Sequence, residues 1–244
     1  FADSFYEEII EPRVYVYILS RVFNHINDIN SYQIEFYSSK NLFIPFPAVI
    51  IEHSSKHCKN IVHSYNRLLN DINEEYEINS TSVYESSFEV IRKKDVCSGF
   101  IFHTGQYAIK DELELILYIR GEKTNFKLNV DLAPFSTKYF SLKDYLKTEN
   151  EYYICHINQP KQHMFYGRLL VGQFSLNSKC FAGNHSFYDS SSIKDYFPNN
   201  ISQRQYPFFS KLQNTLNFYP INGNSDLNIS INVAGKSYDC GNIK

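Results

Sequence analysis

The chain has 244 residues, a formal net charge of −2, 43% hydrophobic residues and 20% charged ones. That length holds one large domain or two small ones, and the apolar fraction is too high for a disordered chain. The balanced charge argues against binding to nucleic acid or to an anionic membrane surface, both of which need a positive face to displace counterions.

Twenty Tyr and twenty Phe stand beside no Trp and a single Met. Aromatic side chains suit a pleated, half-buried surface, so the composition leans toward strand. Asn-rich stretches such as 24–30 and 221–232 suit tight turns. No run of about 20 apolar residues occurs, so no transmembrane helix is expected. The five cysteines (Cys58, Cys97, Cys155, Cys180, Cys240) are scattered and contain no CxxC pair. Such usage fits free thiols in a reducing compartment and favours the cytoplasm. The sequence starts at Phe1 and its one methionine is Met164, so secretion with loss of a leader is compatible with it.

In chain order, residues 4–23 alternate Val14, Val16 and Ile18 with Tyr, the period of a strand, with a helix as the second choice for the first ten residues. Residues 41–53 end in a continuous apolar run that predicts a buried strand. A turn at 54–57 and a second strand from 60 follow. Residues 64–77 place Leu68, Leu69 and Ile72 at helical spacing and form the best helix candidate. Strands are expected at 82–93 and 99–107. The clearest hairpin is 112–132, with its turn at Arg120–Asn125. Strand pairs are expected again over 168–189 and 215–239.

Two internal echoes stand out. SLKDYL (141–146) is repeated as SIKDYF (192–197), and each reads as a short helical or turn element closing a strand pair. Cys58 and His63 share a five-residue spacing with Cys180 and His185, at an offset of 122 residues. The two echoes have different offsets, so they do not report one clean duplication.

The fold class that follows is mainly β: an antiparallel β-sandwich architecture with one or two short helices. Two similar β subdomains are an alternative arrangement. Along the chain this divides into an N-terminal extension (1–40), a β-rich subdomain (41–150) and a second β-rich subdomain (151–244).

Chemistry-bearing side chains concentrate at Glu52, His53, His57, Cys58 and His63. Imidazole, thiolate and carboxylate are the ligands that a divalent transition metal takes, and three or four must converge to hold one. Glu52, His53, His57 and His63 are therefore the candidate metal ligands, and His53 and His63 would face each other across the two strands. Decoration of a turn and two strand ends explains the same residues without a metal. His185 and Asp189 could pair as base and orienter, with Ser186 and Ser190–Ser192 nearby, but no GxSxG elbow surrounds any serine. His103 and His156 sit at strand ends. Cys155 and His156, being adjacent in a strand, point to opposite faces. There is no GxGxxG or GxxxxGK[ST] motif, so no nucleotide-phosphate cradle is expected. Arg92-Lys93-Lys94 is the one tight basic run and is too short for a nucleic-acid patch. Tyr152, Tyr153, Tyr166 and Tyr188 are candidates to stack on sugar rings.

These observations favour a non-catalytic binding or interaction module for a glycan or protein partner. The alternatives are a metal-dependent enzyme centred on residues 52–63 and an accessory domain of a larger enzyme. No catalytic residue can be named from the sequence.

Overall fold

The computed structural model describes residues 5–8, 13–23, 34, 49–63, 67–68, 83–105, 107–120, 122–160, 164–175, 180–188, 211, 227–233 and 235–243. The protein is mainly β, and its architecture is that of a sandwich of antiparallel sheets. Two compact units divide the chain, Phe1–Phe187 and Tyr188–Lys244.

In the first unit a single four-residue helix, α1 (Leu19–Val22), precedes the hairpin of β1 (Ile51–Ser54) and β2 (Lys59–Val62). Then come β3 (Arg67–Leu68), β4 (Val83–Ile91), β5 (Val96–His103), β6 (Ile109–Ile119), β7 (Glu122–Leu132) and β8 (Thr137–Ser141). The series ends with β9 (Tyr152–Asn158), β10 (Met164–Arg168), β11 (Leu170–Ser175) and β12 (Cys180–His185). The larger sheet runs in the order β3-β10-β4-β9-β6-β7, and the smaller sheet in the order β12-β11-β5-β8. All the neighbours on these two paths are antiparallel except β10 and β4, which pair in parallel. β9, from the 151–244 stretch, lies between β4 and β6, so residues on both sides of position 150 build one sheet. The second unit contributes the antiparallel pair Leu227–Val233 and Lys236–Ile243.

The core lies between the two sheets. From the larger sheet it takes Phe88, Val90, Leu113, Leu115, Leu117, Leu128, Val130, Tyr153, Cys155 and Ile157. Phe100, Phe102 and Val171 come from the smaller one. On β6, β7 and β9 these residues recur at every second position, so the period of the sequence places one face inward and the other outward. Phe88 of β4 and Phe100 of β5 meet across the interface, their ring centres 6.0 Å apart, and Phe100 stacks on Phe140 of the neighbouring β8 at 5.0 Å. Burying each such ring contributes about 1.5–3 kcal/mol.

The segment SLKDYL, expected as a short helix or a turn, forms a turn. The amides of Tyr145 and Leu146 both donate to the Leu142 carbonyl, and Leu142 and Leu146 plug the core. Arg92 fastens this turn by donating to the carbonyls of Leu146 (2.6 Å) and Lys147 (3.1 Å). The first member of the basic run is thus a structural clamp. The companion segment 192–197 lies outside the described residues.

Three expectations are corrected. Residues 14–18 lie outside any strand, and Val14 and Val16 are exposed. Their alternation places no side chain in the core, and period-two patterning without a buried face does not make a strand. Arg67 and Leu68, expected within a helix, pair instead with Tyr166 and Met164 of β10; the rest of 64–77 lies outside the described residues. The 112–132 hairpin turns more tightly than expected, since Ile119 pairs with Glu122 and leaves a two-residue connection. Arg120 there has φ of 49°, the left-handed backbone that such short connections demand. No helix among the described residues is long and apolar enough to cross a membrane.

Candidate functional site

The β1–β2 hairpin carries the residues picked out as metal ligands, and the register decides where each one points. Ser54 pairs with Lys59, which confines the loop to Ser55–Cys58 and sets His53 opposite Asn60 rather than His63. Glu52 reaches Lys59 at 3.1 Å, a solvent-exposed ion pair of small energetic weight. The His53 ring packs edge-on against Phe181 at 5.7 Å, and burial lowers its pKa. His57 is exposed, and its amide donates to Ser55 Oγ at 3.2 Å. His63 follows β2 and lies tilted against His185 at 4.7 Å. The four residues do not converge, and among the described residues no three His, Cys, Asp or Glu side chains gather to hold an ion.

What the structure does bring together are the two members of the Cys–His echo. Cys58 and Cys180 line one cavity, the Gly183 amide donates to Asn60 Oδ1 at 3.3 Å, and His63 meets His185. β2 therefore lies beside β12 in the same chain direction, with thiols at one end and imidazoles at the other. Cys58, Lys59, Asn60, Val96, Cys180 and Phe181 are among the residues lining a cavity of about 250 Å3 at the thiol end. Hydrogen bonds from Cys180 first, then from Ser55 and the Phe181 backbone, hold the Cys58 thiol below its ordinary pKa, because they favour the thiolate.

Ser186 is fully buried and its Oγ accepts the Leu169 amide at 2.9 Å. His185 donates from Nδ1 to the Ser186 carbonyl at 2.6 Å. Asp189 and Ser190–Ser192 lie outside the described residues. Burial pushes His103 down to about 4, which keeps it neutral. Cys155 is sealed in the core, where burial pushes its thiol up. His156, one residue on, points to the opposite face, as strand geometry requires.

That outward face of the larger sheet holds an array the sequence did not disclose. Ser87 Oγ lies 3.0 Å from His156 Nδ1, and His156 Nε2 lies 2.7 Å from Asn158 Oδ1. Asn158 Nδ2 donates to Glu114 Oε2, and Asn125 Nδ2 donates to Glu114 Oε1 at 2.9 Å. The directions follow from one another. Because the Asn158 amide donates to Glu114, its oxygen faces His156, so Nε2 carries the ring proton and Nδ1 accepts from Ser87. Every donor in the chain thus points toward the Glu114 carboxylate. Beside it Lys127 donates to Glu112 at 2.7 Å, which raises the Lys127 pKa. Ser87 itself is buried, so its hydroxyl orients the ring and does not meet a substrate.

The same face carries tyrosines. Glu114 and Tyr118 share one side of β6, and Tyr152, Ile154, His156 and Asn158 alternate onto that side of β9. The register sets Ile116 against His156 and Tyr118 against Ile154. Lys123 Nζ stands 5.9 Å from the centre of the Tyr118 ring, and Tyr152 is 46% exposed. Alternation could have predicted that these residues face outward. Which of them meet depends on the order β4-β9-β6-β7, which joins segments distant in sequence.

No protein-family model, no curated protein and no solved structure matches the chain.

Proposed function

We propose that this chain is a non-catalytic β-sandwich binding module that takes a neutral glycan on the outward face of β4-β9-β6-β7. The observation that supports the reading is the coexistence on one face of Tyr118 and Tyr152 with the preformed hydrogen-bonded row His156–Asn158–Glu114–Asn125. A sugar ring offers an apolar C–H face and a rim of hydroxyls. The flat body of a tyrosine suits the first, while fixed carboxylate and carboxamide groups suit the second. The array is held by its own hydrogen bonds, so little side-chain freedom remains to be lost on binding. The two glutamates disfavour an anionic saccharide, which is why the proposed ligand is neutral.

The test is calorimetric titration of the chain with neutral oligosaccharides, together with Tyr152→Ala and Glu114→Gln. Each substitution is expected to weaken binding about tenfold, the effect of losing one ring contact or one charge-assisted hydrogen bond. Binding that survives both substitutions unchanged, or that occurs only with protein partners, would remove the proposal.

A further inference from the structure

Apart from the sheet face, we propose that Cys58 and Cys180 form a redox dithiol whose disulfide, made by exchange with a low-molecular-weight disulfide, fastens the β1–β2 hairpin to the edge of the smaller sheet. The two cysteines come from segments far apart in sequence, yet both line one cavity and both are half-buried. Their approach is fixed by contacts on either side. The Gly183 amide is held by Asn60, His53 packs on Phe181, and His63 packs on His185. The two cysteines therefore share one cavity because two strands are docked, which is the arrangement a cross-link needs.

The surroundings assign a role to each sulfur. Ser55 Oγ accepts the Cys58 amide at 3.2 Å and lies 3.5 Å from Cys58 Sγ, so the short loop both shapes the backbone and solvates the sulfur. With its pKa depressed, Cys58 is the attacking thiolate. Asn60 lines the same cavity, and its Nδ2 is buried without a partner among the described residues.

The chemistry balances in two steps. The Cys58 thiolate attacks one sulfur of the incoming disulfide, forms a mixed disulfide and expels one small thiolate. Cys180, losing its proton, attacks Cys58 Sγ and expels the second. The protein loses two hydrogens and the small disulfide becomes two thiols. Two other cysteines serve as internal controls. Cys155 is fully buried in the core. Cys97 is buried and hydrogen-bonded to Ser141 at 2.8 Å.

The experiment uses the full chain in a Cys240→Ser background, equilibrated with oxidised and reduced glutathione and mapped by mass spectrometry after alkylation. The expected result is joint loss of two thiols, with one linked peptide joining Cys58 to Cys180 while Cys97 and Cys155 stay alkylatable. In Cys180→Ser the reaction stops at a glutathione adduct on Cys58. Hydrogen exchange of the 59–62 amides is expected to slow at least about tenfold on oxidation, because the hairpin can no longer open freely. Separate glutathione adducts on Cys58 and Cys180 in the otherwise unchanged chain would overturn the proposal, as would two thiols that persist at full oxidation. The peptide map of the unsubstituted pair decides the matter even if a serine variant folds poorly.

Discussion

The imidazoles of His63 and His185 lie 4.7 Å apart, centre to centre, each five residues beyond a cysteine, and the two cysteines line one cavity. This contact marks how β2 lies along β12, the edge of the smaller sheet. An uncovered edge offers unpaired backbone groups to other chains, and the β1–β2 hairpin masks part of this one. The Asn60 carboxamide makes the docking specific by accepting the Gly183 amide. Asn60→Ala is expected to cost about 1 kcal/mol, read as a lower urea midpoint, and to speed exchange of the Gly183 amide severalfold. An unchanged exchange rate at Gly183 would show that the hairpin does not protect that edge.

Gly183 pairs with Gly172, which pairs in turn with Gly99, so three glycines cross β12, β11 and β5 in one row. Aromatic rings occupy the space they leave. A Cβ on Gly183 would fall 2.0 Å from the Phe181 ring and 2.7 Å from the Val171 carbonyl, and one on Gly99 would fall 2.4 Å from the Phe140 carbonyl. Tyr139, Phe174 and Phe181 continue as a ladder with successive ring centres 4.8 and 4.5 Å apart. Backbone carbonyls cannot yield as a side-chain tip does, so Gly99→Ala and Gly183→Ala are each expected to destabilise the fold by about 1–3 kcal/mol. Chemical denaturation measures the loss, and a variant as stable as the parent would contradict the close approach.

Phe100 joins the sheets. It is fully buried, lies against Phe88 of the opposing sheet and stacks on Phe140 within its own. Phe100→Ala removes all of these contacts and leaves a cavity, at an expected cost of about 3–5 kcal/mol. A loss below about 1 kcal/mol would mean that the two sheets are not held through this ring.

The acid side of the stability profile follows from His103. A histidine in the unfolded chain titrates near 6.5, whereas burial lowers this one to about 4. Between those values the unfolded chain binds the proton and the folded chain does not. Stability is therefore complete above about pH 6.5, falls as the pH drops toward 4, and is flat below that as far as this group is concerned. His53, also lowered by burial, acts in the same direction. Because residue 103 keeps some surface in contact with water, the His103 contribution has a ceiling of about 3 kcal/mol. Urea unfolding at about pH 7 and about pH 5 is expected to show a drop of up to about 2 kcal/mol. That drop should shrink in His103→Phe. An equal drop in both proteins would rule His103 out as its source.

Legibility in the sequence followed the range of the interactions. The hairpin of β6 and β7 could be read because its pairing is local and its apolar positions alternate without interruption. The mainly β class could be read for the same reason. Residues 14–18 show the same alternation and form no strand: Val14 and Val16 are exposed, so the pattern has no buried face to serve. At Arg67–Leu68 a helical spacing of leucines was outweighed by backbone pairing with β10, a contact with a distant segment. The histidines of the 52–63 segment drew attention because they are close in sequence, but the strand register spreads them apart. The Cys–His echo was visible, and its members meet, although nothing in the spacing said that the two copies would lie side by side. His156 was noted only as a strand-end histidine, and Ser87, Asn158 and Glu114 carried no signal, since three strands from different parts of the chain must assemble before they form a row.

The most direct test of the sheet-face account is a glycan array probed in parallel with the unmodified chain and with Tyr118→Ala/Tyr152→Ala. The unmodified chain is expected to bind neutral saccharides, and the double variant to lose that binding while its unfolding midpoint stays close to that of the parent. No binding to any saccharide, or binding of equal strength by both proteins, would contradict it.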